Sequence, residues 1–348
     1  MMTYATSARR LLVVATLIVV VAAACDGRQM SMSPVPLVQR GIWIGAYAPP
    51  APWESMDAIH DLERSIGRRL DVVHIYKAWG DGWGAYDEQT MRELASATAE
   101  NRRAMLTWEP WVHTLGVDQP NFRLVSIARG DYDGYLTSWA AGLRAFSGTV
   151  YLRPMHEMNG NWYPWAGQVN QNTSADYVAA WRHMHDLFDR EGVHNVRWIW
   201  CPYALDVPAG NRFEEYYPGD RYVDILGLDV YNWGVGDGLF GHPNEMGWRD
   251  VDELLSEPYQ RLTRLGSHPV WLTEVGTAEQ GGDKATWLHT LLESPGYDRI
   301  RAIVWFHANK ERDWRITSSP RAAHAVASAL TGTAPATEAE AIQRSHRG

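Results

Sequence analysis

Residues 151–165 read Tyr151-Leu-Arg-Pro-Met-His-Glu-Met-Asn-Gly-Asn-Trp-Tyr-Pro-Trp165. The stretch opens in an apolar run, Thr149 to Leu152, with the pattern of a buried strand. It then turns polar and aromatic, with Arg153, His156, Glu157 and Asn159 within seven positions. Pro154, Gly160 and Pro164 keep the segment from continuing as regular structure. A buried strand ending in a carboxylate, an imidazole, an amide and indoles suits the floor of a sugar-binding cleft. Glycosidic chemistry needs a second carboxylate. The best candidate is Glu274, in Pro269-Val-Trp-Leu-Thr-Glu-Val-Gly276, again at the end of an apolar run.

The same alternation extends in both directions. Strands are expected at Ile42–Tyr47, Val72–Trp79, Ala104–Trp108, Thr149–Pro154, Val196–Cys201, Val223–Val230, Val270–Glu274 and Ile300–Trp305. Amphipathic helical patterns separate them at Ser55–Arg69, Glu88–Arg103, Tyr132–Phe146, Ala175–Glu191, Arg249–Leu265 and Lys284–Glu293, and Pro320–Leu330 follows the last strand. Between the fifth and sixth strands, Asn211–Tyr217 has room only for a turn or two. Strands alternating with helices imply a parallel sheet, and eight repeats in this length fit a single-domain (β/α)8 TIM barrel. The alternative is a doubly wound open sheet. Against it, the first strand runs into Gly45-Ala-Tyr-Ala-Pro-Pro50 rather than a glycine-rich phosphate loop.

In a barrel the strand C-termini converge on one face. The residues there are polar and aromatic: Tyr76, Lys77, Trp79, Trp108, Glu109, Trp111, His156, Glu157, Tyr231, Trp233, Glu274, Trp305 and His307. The composition agrees, with 18 Trp and 16 Tyr against only 6 Phe. Indole and phenol suit binding surfaces because they join a flat apolar face to a polar handle. Packing in a large core is the competing explanation for any one Trp. The charge balance, 32 basic against 41 acidic residues, argues against a nucleic-acid partner.

The N-terminus has the form of a targeting segment. Arg9 and Arg10 precede an apolar run, Leu11 to Ala24, too short to favour a membrane span. It ends Ala22-Ala-Ala-Cys25, which resembles a lipoprotein processing site with Cys25 lipidated; an ordinary cleaved signal peptide is the alternative. Residues 26–40 read as a linker, the catalytic domain runs over 41–331, and residues 332–348 are expected to be a disordered tail. An exported monomer is expected, touching membrane only through the lipid anchor. Cys201 stands alone in an apolar strand, so neither a disulfide nor a cysteine metal site is expected.

Glu157 and Glu274 end the fourth and seventh strands, which lie roughly opposite each other in an eight-stranded barrel. A carboxyl pair about 5 Å apart would suit a retaining glycosidase. A structural ion pair is the competing reading for each. No metal is expected, since a zinc helix starting at His156 would need a second His where Gly160 stands. No cofactor is expected either. Tyr231, in Leu228-Asp-Val-Tyr-Asn-Trp233, could hold the nucleophile by a hydrogen bond or merely line the rim. Trp305 is either a stacking platform for sugar or a core indole.

His156-Glu-Met-Asn-Gly-Asn-Trp-Tyr-Pro-Trp165, with Thr-Glu-Val-Gly after the seventh strand and Val-Tyr-Asn-Trp after the sixth, resembles glycoside hydrolase family 26. The resemblance covers roughly Gly41 to Leu330. It implies a retaining (β/α)8 enzyme acting on β-linked polysaccharide, first of all endo-β-1,4-mannan. Glu157 would be the acid/base and Glu274 the nucleophile. His156, Tyr231 and Trp305 would line the subsite of the cleaved sugar, with Trp162 as a neighbouring aromatic. Asn159, Trp165, Trp108 and Glu109, at the ends of the third and fourth strands, are further candidate binding residues. Many mannanases of the family carry Trp-His at the end of the third strand, where this chain has Trp108-Glu109. That departure makes mixed-linkage β-glucan the second substrate, and an exopolysaccharide is also possible. A non-catalytic carbohydrate-binding lipoprotein is the reading from another class.

Overall fold

The computed structural model describes residues 1, 35–80, 86–235 and 246–331. The signal segment, Cys25, most of the linker and the tail lie outside them. Eight parallel strands close into a barrel: β1 Trp43–Tyr47, β2 Val72–Ala78, β3 Arg103–Glu109, β4 Val150–Pro154, β5 Val196–Trp200, β6 Ile225–Asn232, β9 Val270–Thr277 and β10 Ile300–Phe306. The strands between β6 and β9, β7 Gly234–Val235 and β8 Met246–Gly247, form a separate antiparallel ribbon. The helices are α1 Asp57–Ile66, α2 Glu88–Thr98, the short α3 Leu124–Ala128, α4 Asp133–Ala145, α5 Ser174–Arg190, α6 Val251–Thr263, α7 Lys284–Glu293 and α8 Pro320–Leu330. Every strand and helix expected from the sequence is present, and the (β/α)8 barrel is the observed fold. Between β5 and β6, Phe213–Tyr216 and Asp220–Tyr222 form only single 3-10 turns. The expected linker ends early. Leu37–Arg40 is a 3-10 turn with Leu37 and Val38 buried, and Leu37 N–H donates to the Ser294 carbonyl.

Side chains alternate across each strand, and that alternation sorts the tryptophans. Trp43, Tyr151 and Trp271 point into the barrel and plug its lower half, with Trp43 edge-on to the other two at 5.9 and 5.6 Å. Trp108, Trp198, Trp200 and Trp305 point outward into the layer between barrel and helices. Thirteen of the 18 Trp are buried, so packing accounts for most of the indoles.

Helix ends are set by local chemistry. Thr173 and Asp176 form a reciprocal capping box at the start of α5, and Asp250 and Glu253 form one at α6. These caps fix where the loops leading into α5 and α6 end. The loops carry the polar face of the barrel.

Candidate active site

Above the aromatic plug lies a polar layer. Arg153 on β4 is fully buried and donates to Asp229 on β6 (2.6 Å), to Glu274 on β9 and to Thr107 on β3 (2.8 Å). Thr273 donates to the other Asp229 oxygen at 2.7 Å. A buried guanidinium needs such partners, and Asp229 and Glu274 share its charge.

Above this layer opens a cavity of about 850 Å³. Glu109, Glu157 and Glu274 all line it, together with Tyr47, Tyr76 and Tyr231. Glu274 is 5% exposed, and three donors hold it: the Arg153 guanidinium, Tyr76 Oη at 2.5 Å and Tyr231 Oη at 2.6 Å. Burial, then the Glu274 charge, keeps both phenols well above their usual range, so each remains a donor. The Tyr231 bond is the one expected from the sequence.

Glu274 reaches the cavity through an irregularity in β9. Leu272 pairs with Leu228 and Glu274 with the next residue, Asp229, so β9 carries one extra residue there. The pairing with β10 shows the same insertion between Ile303 and Trp305. Strict alternation would turn Glu274 outward once Thr273 faces in. The bulge lets both face the interior.

Glu157 has different surroundings. It follows β4 in a left-handed backbone conformation (φ 53°), as does Met155 (φ 50°), unusual positions for residues with side chains. Its N–H donates to the Cys201 carbonyl at 2.8 Å, and Trp162 Nε1 donates to Oε2 at 2.6 Å. No basic side chain within salt-bridge distance of Glu157 occurs among the described residues. Burial first, then the charges of Asp229 and Glu274, holds its carboxyl well above the usual range. Glu109, at the end of β3, is similar. It accepts from Trp111 Nε1 at 3.2 Å, and burial pushes it up to about 7.

The other expected residues divide. Trp162 and Tyr231 line the cavity. Trp305 does not: it is 1% exposed and faces outward, and the next residue on β10, Phe306, takes the cavity position. Trp108 is likewise outward, stacked on Tyr135 and donating to its hydroxyl at 3.1 Å. Trp165 is buried beneath the surface, stacked on Tyr163, its N–H on the His156 carbonyl at 2.6 Å. His156 is 1% exposed and sits behind the lining, with Nε2 3.2 Å from Tyr163 Oη. Burial and the Arg153 charge keep its imidazole neutral. Asn159 is fully buried and clamps backbone: Oδ1 accepts from Tyr203 N–H and Nδ2 donates to the Tyr203 carbonyl, each at 2.9 Å. These five residues shape the site from outside the cavity.

Several site residues escaped the sequence reading. Arg153 stood in the quoted stretch without a role, and its partners lie 76 and 121 positions away. Lys310, Glu311 and Trp314, from the loop after β10, line the cavity without any motif to mark them. The ligand atoms of His156, Asp229 and Glu274 lie within 4.8 Å of one another, as a metal site would need. The positive charge that Asp229 and Glu274 already share is Arg153.

A family profile described as glycosyl hydrolase family 26 matches residues 132–240, which include Glu157 and Tyr231. The chain belongs to glycosyl hydrolase family 26. It is 37% identical over 295 residues to Endoglucanase H of Acetivibrio thermocellus, covering 83% of this chain and 30% of that one. It is 34% identical over 136 residues to mannan endo-1,4-beta-mannosidase A and B of Caldalkalibacillus mannanilyticus, covering 38% of this chain and 22% of that one. The chain thus spans less than a third of the length of either curated relative. Among solved structures, a GH26 β-mannanase from Bacteroides ovatus shares the fold, with a TM-score of 0.61 at 19% identity over 90% of this chain and 96% of that one.

Proposed function

We propose that the chain is a retaining hydrolase of β-linked polysaccharide, with Glu157 as acid/base and Glu274 as nucleophile. The observation that carries this reading is the opposite surroundings of two carboxyls in one cavity. Among the described residues no basic side chain lies within salt-bridge distance of Glu157, and burial holds its carboxyl well above the usual range, whereas a guanidinium and two phenols direct hydrogen bonds at Glu274. Such a split in environment assigns acid and nucleophile. In the first step a Glu274 oxygen attacks the anomeric carbon as Glu157 gives its proton to the departing glycosidic oxygen. In the second, Glu157 takes a proton from water, which attacks the same carbon and frees Glu274.

The substrate we favour is β-glucan, cleaved internally. The relative named an endoglucanase matches across 83% of this chain, and the mannosidase named above across 38%. Glu109, a carboxyl facing the cavity, is consistent with that choice. β-1,4-Mannan is the second reading, favoured by the relatives named mannan endo-1,4-beta-mannosidases.

Reducing-sugar release from mixed-linkage β-glucan, glucomannan and galactomannan tests the substrate. The roles are tested by two variants. Glu274→Ala should be inactive on every glycoside. Glu157→Ala should fail on polysaccharide yet react with an aryl glycoside whose leaving group needs no proton, and azide should restore its turnover with a β-glycosyl azide as product. A β-azide from Glu274→Ala, with no rescue of Glu157→Ala, would reverse the two roles, whereas an α-azide from Glu274→Ala fits its place as nucleophile. Wild-type rates in both variants would end the glycosidase reading.

A further inference from the structure

The loop that carries Glu157 is fixed from outside the barrel. Asn159 Nδ2, besides gripping Tyr203, donates to Asp206 Oδ1 at 3.0 Å, and the Asn159 carbonyl accepts from Val207 N–H at 2.8 Å. Asp206 belongs to the loop after β5. Its other oxygen accepts from Arg261 Nη2, on α6, at 2.7 Å. Arg261 is in turn held by Glu214 through two bonds of 2.8 and 2.7 Å and lies over the Phe213 ring at 4.0 Å. A continuous path of hydrogen bonds therefore runs from an outer helix to a residue two positions from Glu157.

We propose that Arg261, acting through Asp206 and Asn159, is a positioning residue for the acid/base Glu157. The inference rests on the assignment of Glu157 made above. The geometry requires something of this kind. Glu157 sits in a left-handed conformation that a residue with a side chain adopts only when its surroundings enforce it. Asn159 supplies that enforcement at the backbone, and Asp206 shares with the Leu205 carbonyl, at 3.3 Å, what Tyr203 leaves of the Asn159 amide. Asp206 is a small, partly buried carboxylate, and Arg261 both neutralises it and sets its orientation. The same guanidinium holds Glu214, whose carboxyl its hydrogen bonds bring down to about 2. Neither Arg261 nor Asp206 lines the cavity, so their loss acts on placement before it acts on sugar contacts.

The prediction separates placement of the acid from general loosening. A misplaced proton donor slows reactions whose leaving group needs a proton and spares those that do not. Arg261→Met keeps the stem and removes the fork. We expect kcat/KM on polysaccharide and on a phenyl glycoside to fall roughly ten- to a hundredfold, with the rate on a dinitrophenyl glycoside within about twofold of wild type. Arg261→Lys should recover part of the loss. Asp206→Asn, which keeps size while removing the charge, should show the same dependence on leaving group, and it serves if Arg261→Met does not fold. An equal loss on all leaving groups, or none, in a variant with a normal unfolding midpoint overturns the inference. Glu157→Ala is the reference. If it shows the leaving-group dependence and the Arg261 and Asp206 variants do not, this inference alone falls. If Glu157→Ala lacks the dependence, the assignment of the acid falls.

Discussion

Two neighbours on one strand, Trp305 and Phe306, show how much a single residue step decides. Both end an apolar run, and the sequence motif favours the indole as the sugar platform. The β10 alternation sends Ala302, Val304 and Phe306 inward and Ile303 and Trp305 outward. Trp305→Ala should therefore cost stability, about 3–5 kcal/mol for a buried Trp. The KM of the folded fraction should stay unchanged. Denaturant titration and kinetics on the same preparation check this, and a normal unfolding midpoint with a raised KM would restore Trp305 to the cavity. The step from Trp108 to Glu109 repeats the lesson: one side chain packs on Tyr135 and the next faces the cavity.

At the level of elements, periodicity and breakers revealed where every barrel strand lies, usually to within a residue or two. Burial on both faces makes the strands continuous apolar runs, and such runs are easy to see. Which way a strand end points was harder to read. Glu274 faces the cavity because of a bulge, and a bulge arises from pairing with β6 and β10, partners remote in sequence. The roles of Arg153 and of the loop bearing Lys310, and the bond from Tyr76 to Glu274, were missed for the same reason: each depends on contacts that only the closed barrel brings together. The bulged strand also explains a glycine. A Cβ at Gly276 would sit 2.7 Å from the Tyr231 ring and 2.9 Å from Trp314. Gly276→Ala should push Tyr231 off Glu274. Overpacking of this kind costs about 1–3 kcal/mol, and kcat should fall at unchanged KM. Full kcat in the folded variant would show that Tyr231 can yield without losing its bond.

For the whole molecule, the cavity charges set how stability responds to pH. Glu109 is raised from 4.5 to about 7, so the folded chain binds its proton more tightly than the unfolded chain does. Stability from this group is fully present below pH 4.5 and is lost as pH rises to about 7. Glu109→Gln should remove that loss, gaining on wild type by up to roughly 3 kcal/mol between those limits. Unfolding midpoints across the range decide it, and parallel curves for the two proteins would mean that Glu109 is charged in the fold. The cradle around Glu274 has a consequence of another kind. Trimming that residue to glycine leaves Arg153, Tyr76 and Tyr231 still facing the vacated space, a socket for a small anion. An α-glycosyl fluoride would place its halogen there. With Glu157 taking the proton from an acceptor sugar's hydroxyl, that oxygen would displace fluoride and form a β-linkage that the variant could not break. Glu274→Gly should thus lengthen oligosaccharides, visible by mass spectrometry as a ladder, and Glu157→Ala in the same chain should abolish it. On the function proposed above, a framework for cutting polymers would become one that writes them.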